Sequence, residues 1–561
     1  MGDRRGDAVN GSPARRFARK LLGEVPLALE ALAWLSNRAA PPASGFRLER
    51  LEEHLVRWCS ATRQVRAEAT IESRKDVLVL GLLPWWIEYS LAVSLLLAAG
   101  GHRIRLIYLP YRNWRDPADS FDLRRQRLYL RRLLSATAGC LETADLSAVR
   151  AAPLPPDLEE SIEALSRIDV QYTLQHELLD LTPGTPDEQL YRLRLERNRA
   201  VAGAIQSRLG KWRPDVIIVP NGSILEFGAV YRTGRHAGIS TVTFEFGEQR
   251  ERMWVAQNGE AMRLITSDLW NARGDVPIGQ KEIDSLREIY LARRGARLWE
   301  NFGRKWQAAE GQGAQAVRRR LNLDPRRPVA LLCTNVVGDS LALDRQVFSK
   351  GMADWLARTV QYFEAHTEAQ LVVRVHPGEL LGAGHPSTEI VRQATLEMPS
   401  TVRVVPPDSD INTYDLIEIA HLGLVYTTTV GMEMVMQGVP VIVCGATHYR
   451  GKGFTHDPAS WEAYIELLDK LLGEPLGRRV ADEQTELAMR YAYRFFFEYP
   501  FPFPWNVIGF WRDMEARPLE DVVRDMRDSP YAQTMDALLG RPIDWSRKAE
   551  KSARSVIAVE R

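Results

Sequence analysis

Gln370-Leu371-Val372-Val373-Arg374-Val375-His376-Pro377-Gly378, followed later by Tyr426-Thr427-Thr428-Thr429-Val430-Gly431-Met432-Glu433 and Gly438-Val439-Pro440-Val441-Ile442-Val443-Cys444-Gly445, decide how this chain is read. Each stretch sets a short β-branched run against a loop of small, polar or glycine residues. That is the pattern of a strand running into a loop and then a helix. We read two neighbouring units of this kind, with their loops meeting at one edge of a parallel sheet, the place where an open α/β sheet binds its ligand.

Outward from this stretch, the same pattern recurs. Asp76-Val77-Leu78-Val79-Leu80-Gly81 and Ile104-Arg105-Leu106-Ile107-Tyr108-Leu109 bracket a helical run, and so do Asp215-Val216-Ile217-Ile218-Val219-Pro220 and Thr241-Val242-Thr243-Phe244-Glu245. The expected organisation is a flexible basic arm and helices over 1–64, an N-terminal Rossmann-like domain over 65–265 and a helical linker over 266–325. A C-terminal Rossmann-like domain over 326–475 and a helical extension over 476–561 complete it. Within the linker, residues 282–307 read as one charged helix serving as a spacer.

The length of 561 residues favours two cores over one. Lys and Arg total 73 against 72 Asp and Glu, a net charge of +1, so no global field recruits nucleic acid. Cys59, Cys140, Cys333 and Cys444 share no metal-ligand spacing, which points to a reduced compartment without structural zinc. Residues 77–100 are strongly apolar, yet Glu88, Pro84, Trp85 and Trp86 make them a strand and a buried helix in place of a membrane span. Arg4, Arg5, Arg15, Arg16, Arg19 and Lys20 precede no apolar core of a signal peptide. This arm reads as solvated, with peripheral contact to an anionic membrane face as the alternative, each cation there contributing about 1 kcal/mol.

Chemistry concentrates in a few loops. Alternation along residues 371–376 places Arg374 and His376 on one strand face near its carboxyl end, a fork and an imidazole suited to phosphate. Thr427, Thr428 and Thr429 with Gly431 bring hydroxyls and unpaired amides to a helix start, which attracts anions. Glu433 falls one residue beyond the capping-box offset from Thr429 and is free to accept hydrogen bonds from a ribose diol. Asn335 and Asp339 border the same cleft, and Lys452, in His448-Tyr449-Arg450-Gly451-Lys452-Gly453-Phe454-Thr455, reads as part of a phosphate-facing or simply solvated loop. Asn412 and Asp415 have the capping-box offset and read as structural. On the opposite domain Asn221, Gly222 and the Glu245-Phe246-Gly247-Glu248 loop sit at equivalent strand ends. Glu245 suits a general base on an acceptor hydroxyl; Glu248 reads rather as an ion-pair partner of Arg250 and Arg252, with an acceptor-side role as the alternative. No GxxxxGK followed by Ser or Thr, no HExxH and no GxSxG motif occurs, which removes support for P-loop, metalloprotease and α/β-hydrolase chemistry.

Taken together, Arg374-Val375-His376-Pro377, the 426–433 loop, Gly438-Val439-Pro440-Val441 and His448-Tyr449-Arg450-Gly451-Lys452-Gly453 resemble the bacterial capsular polysaccharide biosynthesis family, which includes the capsule Kdo transferases. The resemblance covers residues 325–460 well, 210–250 weakly and neither end. It implies a GT-B glycosyltransferase: two Rossmann-like domains facing a cleft, nucleotide-sugar donor on the C-terminal domain and a glycan or glycolipid acceptor mainly on the N-terminal one. It further implies His376 at the donor phosphate, Thr428 and Thr429 in the phosphate loop and Glu433 at the ribose. The expected enzyme is cytoplasmic, works at the inner face of the membrane, and needs neither metal nor cofactor beyond a CMP-, UDP- or GDP-linked sugar. A sugar-nucleotide epimerase of the same architecture and a non-catalytic glycan-assembly scaffold are the rival functions. The N-terminal half lacks an acidic-acidic-glycine motif, which leaves the catalytic base, and retention against inversion, open.

Overall fold

The computed structural model describes residues 42–546 apart from 44, 68–73, 300–301, 306, 382–385 and 527–528, together with 23–25 and 31. The basic arm and most of the helix expected over 16–35 lie outside the described residues. Among the described residues, twelve strands run in chain order: β1 Asp76–Leu82, β2 Arg103–Leu109, β3 Glu142–Asp145, β4 Val216–Pro220, β5 Ser240–Phe246, β6 Arg252–Gln257, β7 Val329–Cys333, β8 Gln370–Arg374, β9 Val402–Val405, β10 Leu422–Val425, β11 Val441–Val443 and β12 Phe501–Pro502.

They form two sheets, β12-β6-β5-β4-β1-β2-β3 and β11-β10-β7-β8-β9. β1 to β5 pair in parallel, with β6 and β12 added antiparallel at one edge. The second sheet is parallel throughout. Both sheets therefore repeat one walk, outward from a first strand through the second and third, then back to the other side for the fourth and fifth. The order reverses between β1 and β4 and again between β7 and β10, and a crevice opens at each reversal. Strands buried on both faces need continuous apolar runs, and every residue of β4, β7 and β8 is buried. Two Rossmann-like sheets facing one cleft make the GT-B architecture.

The apolar helix Pro84–Ala99 is buried nearly all round and packs on β1 as a core helix. Its Glu88 accepts a hydrogen bond from Trp511 Nε1 at 3.0 Å, and burial pushes its carboxyl up to about 7. No helix among the described residues is long and apolar enough to cross a membrane.

Four expectations are corrected. β8 and β10 are not neighbours, because β7 lies between them and both pair with it. The strands β3, β6 and β12 went unread: β3 is a short, polar edge strand, β12 is a two-residue edge strand, and β6, between β12 and β5, lacks clear alternation. The linker helix Gln280–Arg294 stops at Gly295 in place of continuing to 307, and the described residues up to 313 form no regular helix. The C-terminal extension is not purely helical, since β12 returns to the first sheet and Phe503 N donates to Glu251 O at 3.0 Å.

Two polar devices hold this arrangement. Arg194 is fully buried and joins three helices: Nε donates to Asp169 at 3.1 Å, and Nη1 and Nη2 reach Glu226 at 3.1 and 3.0 Å. Asn198 Nδ2 donates to Asp169 at 2.8 Å, and Asp169 in turn accepts the Leu225 amide at 2.6 Å, pinning the loop after β4. Across the cleft, Glu177 accepts the Met352 and Ala353 amides at 3.1 and 2.8 Å, so a carboxylate of the N-terminal domain caps the helix Met352–Ala365 of the other.

Arg194→Met leaves Asp169 and Glu226 buried with no cation. The expected loss is about 3 to 5 kcal/mol of stability, read as a lowered midpoint in denaturant unfolding, whereas a surface control such as Arg192→Met stays near the wild type.

Candidate functional site

At the carboxyl edge of the second sheet, loops after β7, β8 and β10 surround a cavity. Thr334, Arg374, His376, Thr428, Thr429 and Glu433 line it from the domain side. Arg374, 2% exposed, donates through Nη1 to Pro406 O at 2.7 Å and through Nε to Thr413 Oγ1 at 3.3 Å. Two of its five donors are thus spent on orienting the fork. His376 accepts the Gly378 amide on Nδ1 at 2.9 Å, which places the ring proton on Nε2. Burial, reinforced by Arg374, pulls its pKa down to about 4. The ring is thus a neutral imidazole with its proton on Nε2.

Thr429 makes no side-chain capping bond at the start of the helix Val430–Met436. Behind the loop, Tyr449 donates to Thr428 O at 2.7 Å. Gly431 is absent from the cavity lining; a Cβ there would stand 2.5 Å from Tyr449 Oη and 2.8 Å from Val425 Cγ2, so it is a packing glycine. Thr427 also turns away, its amide donating to Asn335 Oδ1 at 3.1 Å and its hydroxyl to Leu341 O at 3.0 Å. Asn335 thereby ties the β7 loop to the β10 loop and does not line the cavity. Lys452 lies outside it too, because its loop is built into the domain interface: His448 stacks on Phe495 at 4.1 Å, and the Tyr491 hydroxyl bonds both His448 O, at 2.8 Å, and Thr266 Oγ1, at 2.7 Å.

Glu433 is buried, and both of its oxygens are engaged, one by Arg293 and the other by the Tyr414 hydroxyl. Arg293 also donates through Nη2 to Glu248 at 2.7 Å. Glu248 thus pairs across the cleft with the linker, correcting the expected partners Arg250 and Arg252, and burial raises its pKa. Asp415 accepts the Gln312 amide at 2.5 Å while Asn412 caps Tyr414 N at 2.9 Å, so the expected capping box is replaced by a clasp on the linker.

The matched part of the chain is wider than its motifs suggested. The family profile described as capsule polysaccharide biosynthesis protein matches residues 292–466. Over this segment the chain is similar to that family. No curated protein matches it. Among solved structures, it is similar to the Thermosulfurimonas dismutans KpsC beta Kdo 2,4 transferase at 18% identity over 49% of this chain and 78% of that one, with a TM-score of 0.32. It is also similar to a UDP-GlcNAc 2-epimerase from Neisseria meningitidis, at 11% identity over 73% and 93% with a TM-score of 0.25. The wall teichoic acid polymerase TagF aligns at 11% identity over 85% and 96%, with a TM-score of 0.21.

The capsule-biosynthesis segment begins inside the linker, and there sequence reading missed most. Arg293, Arg297, Arg304, Lys305 and Gln307 all line the cavity. Their one available signal was the density of cations between 293 and 305, read as part of a charged helical spacer. With Arg374 the cavity has five permanent cations against the two carboxylates Glu248 and Glu433, an excess of three positive charges.

On the facing domain, Glu245 is the next-to-last residue of β5 and is 5% exposed. Asn221 Nδ2 donates to its Oε2 at 2.9 Å and the Phe246 amide to Oε1 at 3.1 Å. Burial dominates these bonds and lifts its pKa to about 7, with Arg304 lowering and Asp339 raising it from across the cleft. Asn221 and Gly222, at φ 59° and 86°, form the left-handed turn that presents the amide; a Cβ on Gly222 would meet Thr243 Cγ2 at 2.5 Å. None of Glu245, Asn221 and Gly222 lines the cavity itself.

Arg293→Ala strips the cation from Glu433 and Glu248 together. The expected cost is about 3 kcal/mol, read as a lower melting temperature near pH 8 that recovers towards pH 5. The sign follows from Glu248: burial raises its pKa, so its ionised form is the disfavoured one, and protonation at low pH removes the unpaired charge.

Proposed function

We propose that the protein is a GT-B glycosyltransferase of capsule or surface polysaccharide biosynthesis, moving a sugar from a nucleotide-sugar donor to a glycan or glycolipid acceptor. The observation that carries it is a cationic cavity at one sheet edge facing a buried carboxyl group poised near neutrality on the other. Arg374, the His376 Nε2–H and the Thr428 and Thr429 loop bind the donor phosphate. Glu245, held by Asn221, takes the proton from the acceptor hydroxyl. That oxygen forms the new glycosidic bond as the sugar–phosphate C–O bond breaks, and the electron pair leaves on the phosphate. The reaction is placed in a bacterial cytoplasm at the inner membrane face, with the basic arm as the peripheral contact.

Glu433, with both oxygens taken by protein, orients Arg293 and Tyr414 in this reading, and a ribose contact requires it to release one of them. Burial and Arg374 hold the His376 ring neutral, so Nε2–H is the donor it offers to phosphate.

The reading is tested by donor consumption with and without acceptor. A transferase consumes donor only when acceptor is present, an epimerase converts donor alone, and a scaffold does neither. Glu245→Gln should lower kcat/KM by about 10² to 10⁴-fold, and the wild-type rate should fall with decreasing pH through an apparent pKa near 7, because the base must be ionised. His376→Ala should weaken the stabilising nucleotide among CMP, UDP and GDP by about tenfold, one lost charge-assisted hydrogen bond.

A further inference from the structure

We infer that the inter-domain linker is the wall that binds the leaving nucleotide's phosphate, with Arg297 and Lys305 as its contacting cations. The inference deepens the donor-site reading above and rests on it. The three observations that carry it are independent of the strand-end motifs. First, the helix Gln280–Arg294 ends at Gly295, the described residues from there to 313 form no regular helix, and Arg297, Arg304 and Lys305 line the cavity together with the loops after β7, β8 and β10 from outside both sheets. Second, Arg297 and Lys305 are exposed and make no ion pair among the described residues. They contrast with Arg293, which is committed to Glu248 and Glu433, and with Arg294, which is committed to Glu418. Third, the segment is anchored at both ends, by the Arg293 bridge on one side and on the other by Gln307 Oε1 accepting the Thr413 amide at 2.9 Å and by the Gln312 amide on Asp415 at 2.5 Å. A fixed strap carrying uncommitted cations over a cavity is a charge wall and not a spacer.

The chemistry it matches is the change of charge during transfer. While the sugar is attached, a nucleotide's terminal phosphate is an ester. When the C–O bond breaks it keeps the electron pair and gains one negative charge. Cations placed where that charge appears stabilise the departing group more than the intact donor. Arg374 and the neutral His376 supply the inner side of this site, and the linker supplies the outer side, where the excess positive charge lies. Arg304 sits 5.7 Å above the Phe246 ring, close to Glu245, and so links the phosphate wall to the acceptor side.

The test uses the full chain with Arg297→Glu, Lys305→Glu and the pair together, both positions being exposed. Binding of CMP, UDP and GDP is measured by calorimetry at several salt concentrations, beside His376→Ala, with unliganded melting temperature as the folding control. The expected result is that the nucleotide bound by the wild type binds at least tenfold more weakly to each single variant and more weakly still to the pair, with a shallower dependence of log Kd on log salt. Unchanged affinity and salt slope in the linker variants, while His376→Ala is impaired, overturn the linker assignment and leave the donor site standing. Impaired linker variants with an unaffected His376→Ala support the linker and overturn the role given to His376. A wild type that binds none of the three nucleotides overturns both.

Discussion

Arg293 carries the constraint on which the rest of the cleft depends. One guanidinium holds Glu248, from the loop after β5, and Glu433, from the helix after β10, so a single side chain from the linker joins loops of two separate sheets. Two carboxylates brought this close repel each other and cost desolvation, and without the cation the cleft in this form is unfavourable. Rings of Phe302 and Phe496, 5.6 and 5.4 Å from the guanidinium, keep water from one of its faces. The geometry of the cavity is therefore set by an ion bridge, and its position is set by the sheets.

Around that bridge the charges divide by function. Those inside the N-terminal domain, Asp169, Arg194 and Glu226, are buried and paired with one another, and Asp169 holds the Leu225 amide in the loop after β4. Those at the cavity are asymmetric: cations outnumber carboxylates, the imidazole is neutral, and across the cleft a carboxyl group sits at about 7. Such an excess of positive charge favours an anionic ligand on this side of the cleft.

Legibility from sequence varied with the range of the forces involved. Strand runs such as Val329-Ala330-Leu331-Leu332-Cys333 announce themselves because a parallel strand buried on both faces must be apolar throughout. The pairing of Arg374 with His376 was legible for the same local reason, two-residue alternation. Asn335, Thr427 and Gly431 had the right composition for ligand binding, yet each is spent on packing or on joining loops, which no local pattern distinguishes. Glu433 missed the capping-box offset for a reason that lay far away, in Arg293 and Tyr414.

The sequence by itself determined the α/β class, the two Rossmann-like halves, the strand ends that carry Arg374, His376 and Glu245, and a likeness to the capsule polysaccharide biosynthesis family over one segment. These follow from periodicity and turn chemistry, which act over a few residues. Only the tertiary structure decided that β7 separates β8 from β10, that residues 501–502 return to the first sheet, that His376 is neutral, and that the linker cations line the cavity. Those outcomes depend on burial and on charges meeting across long stretches of chain, and neither is written in the spacing of neighbouring residues.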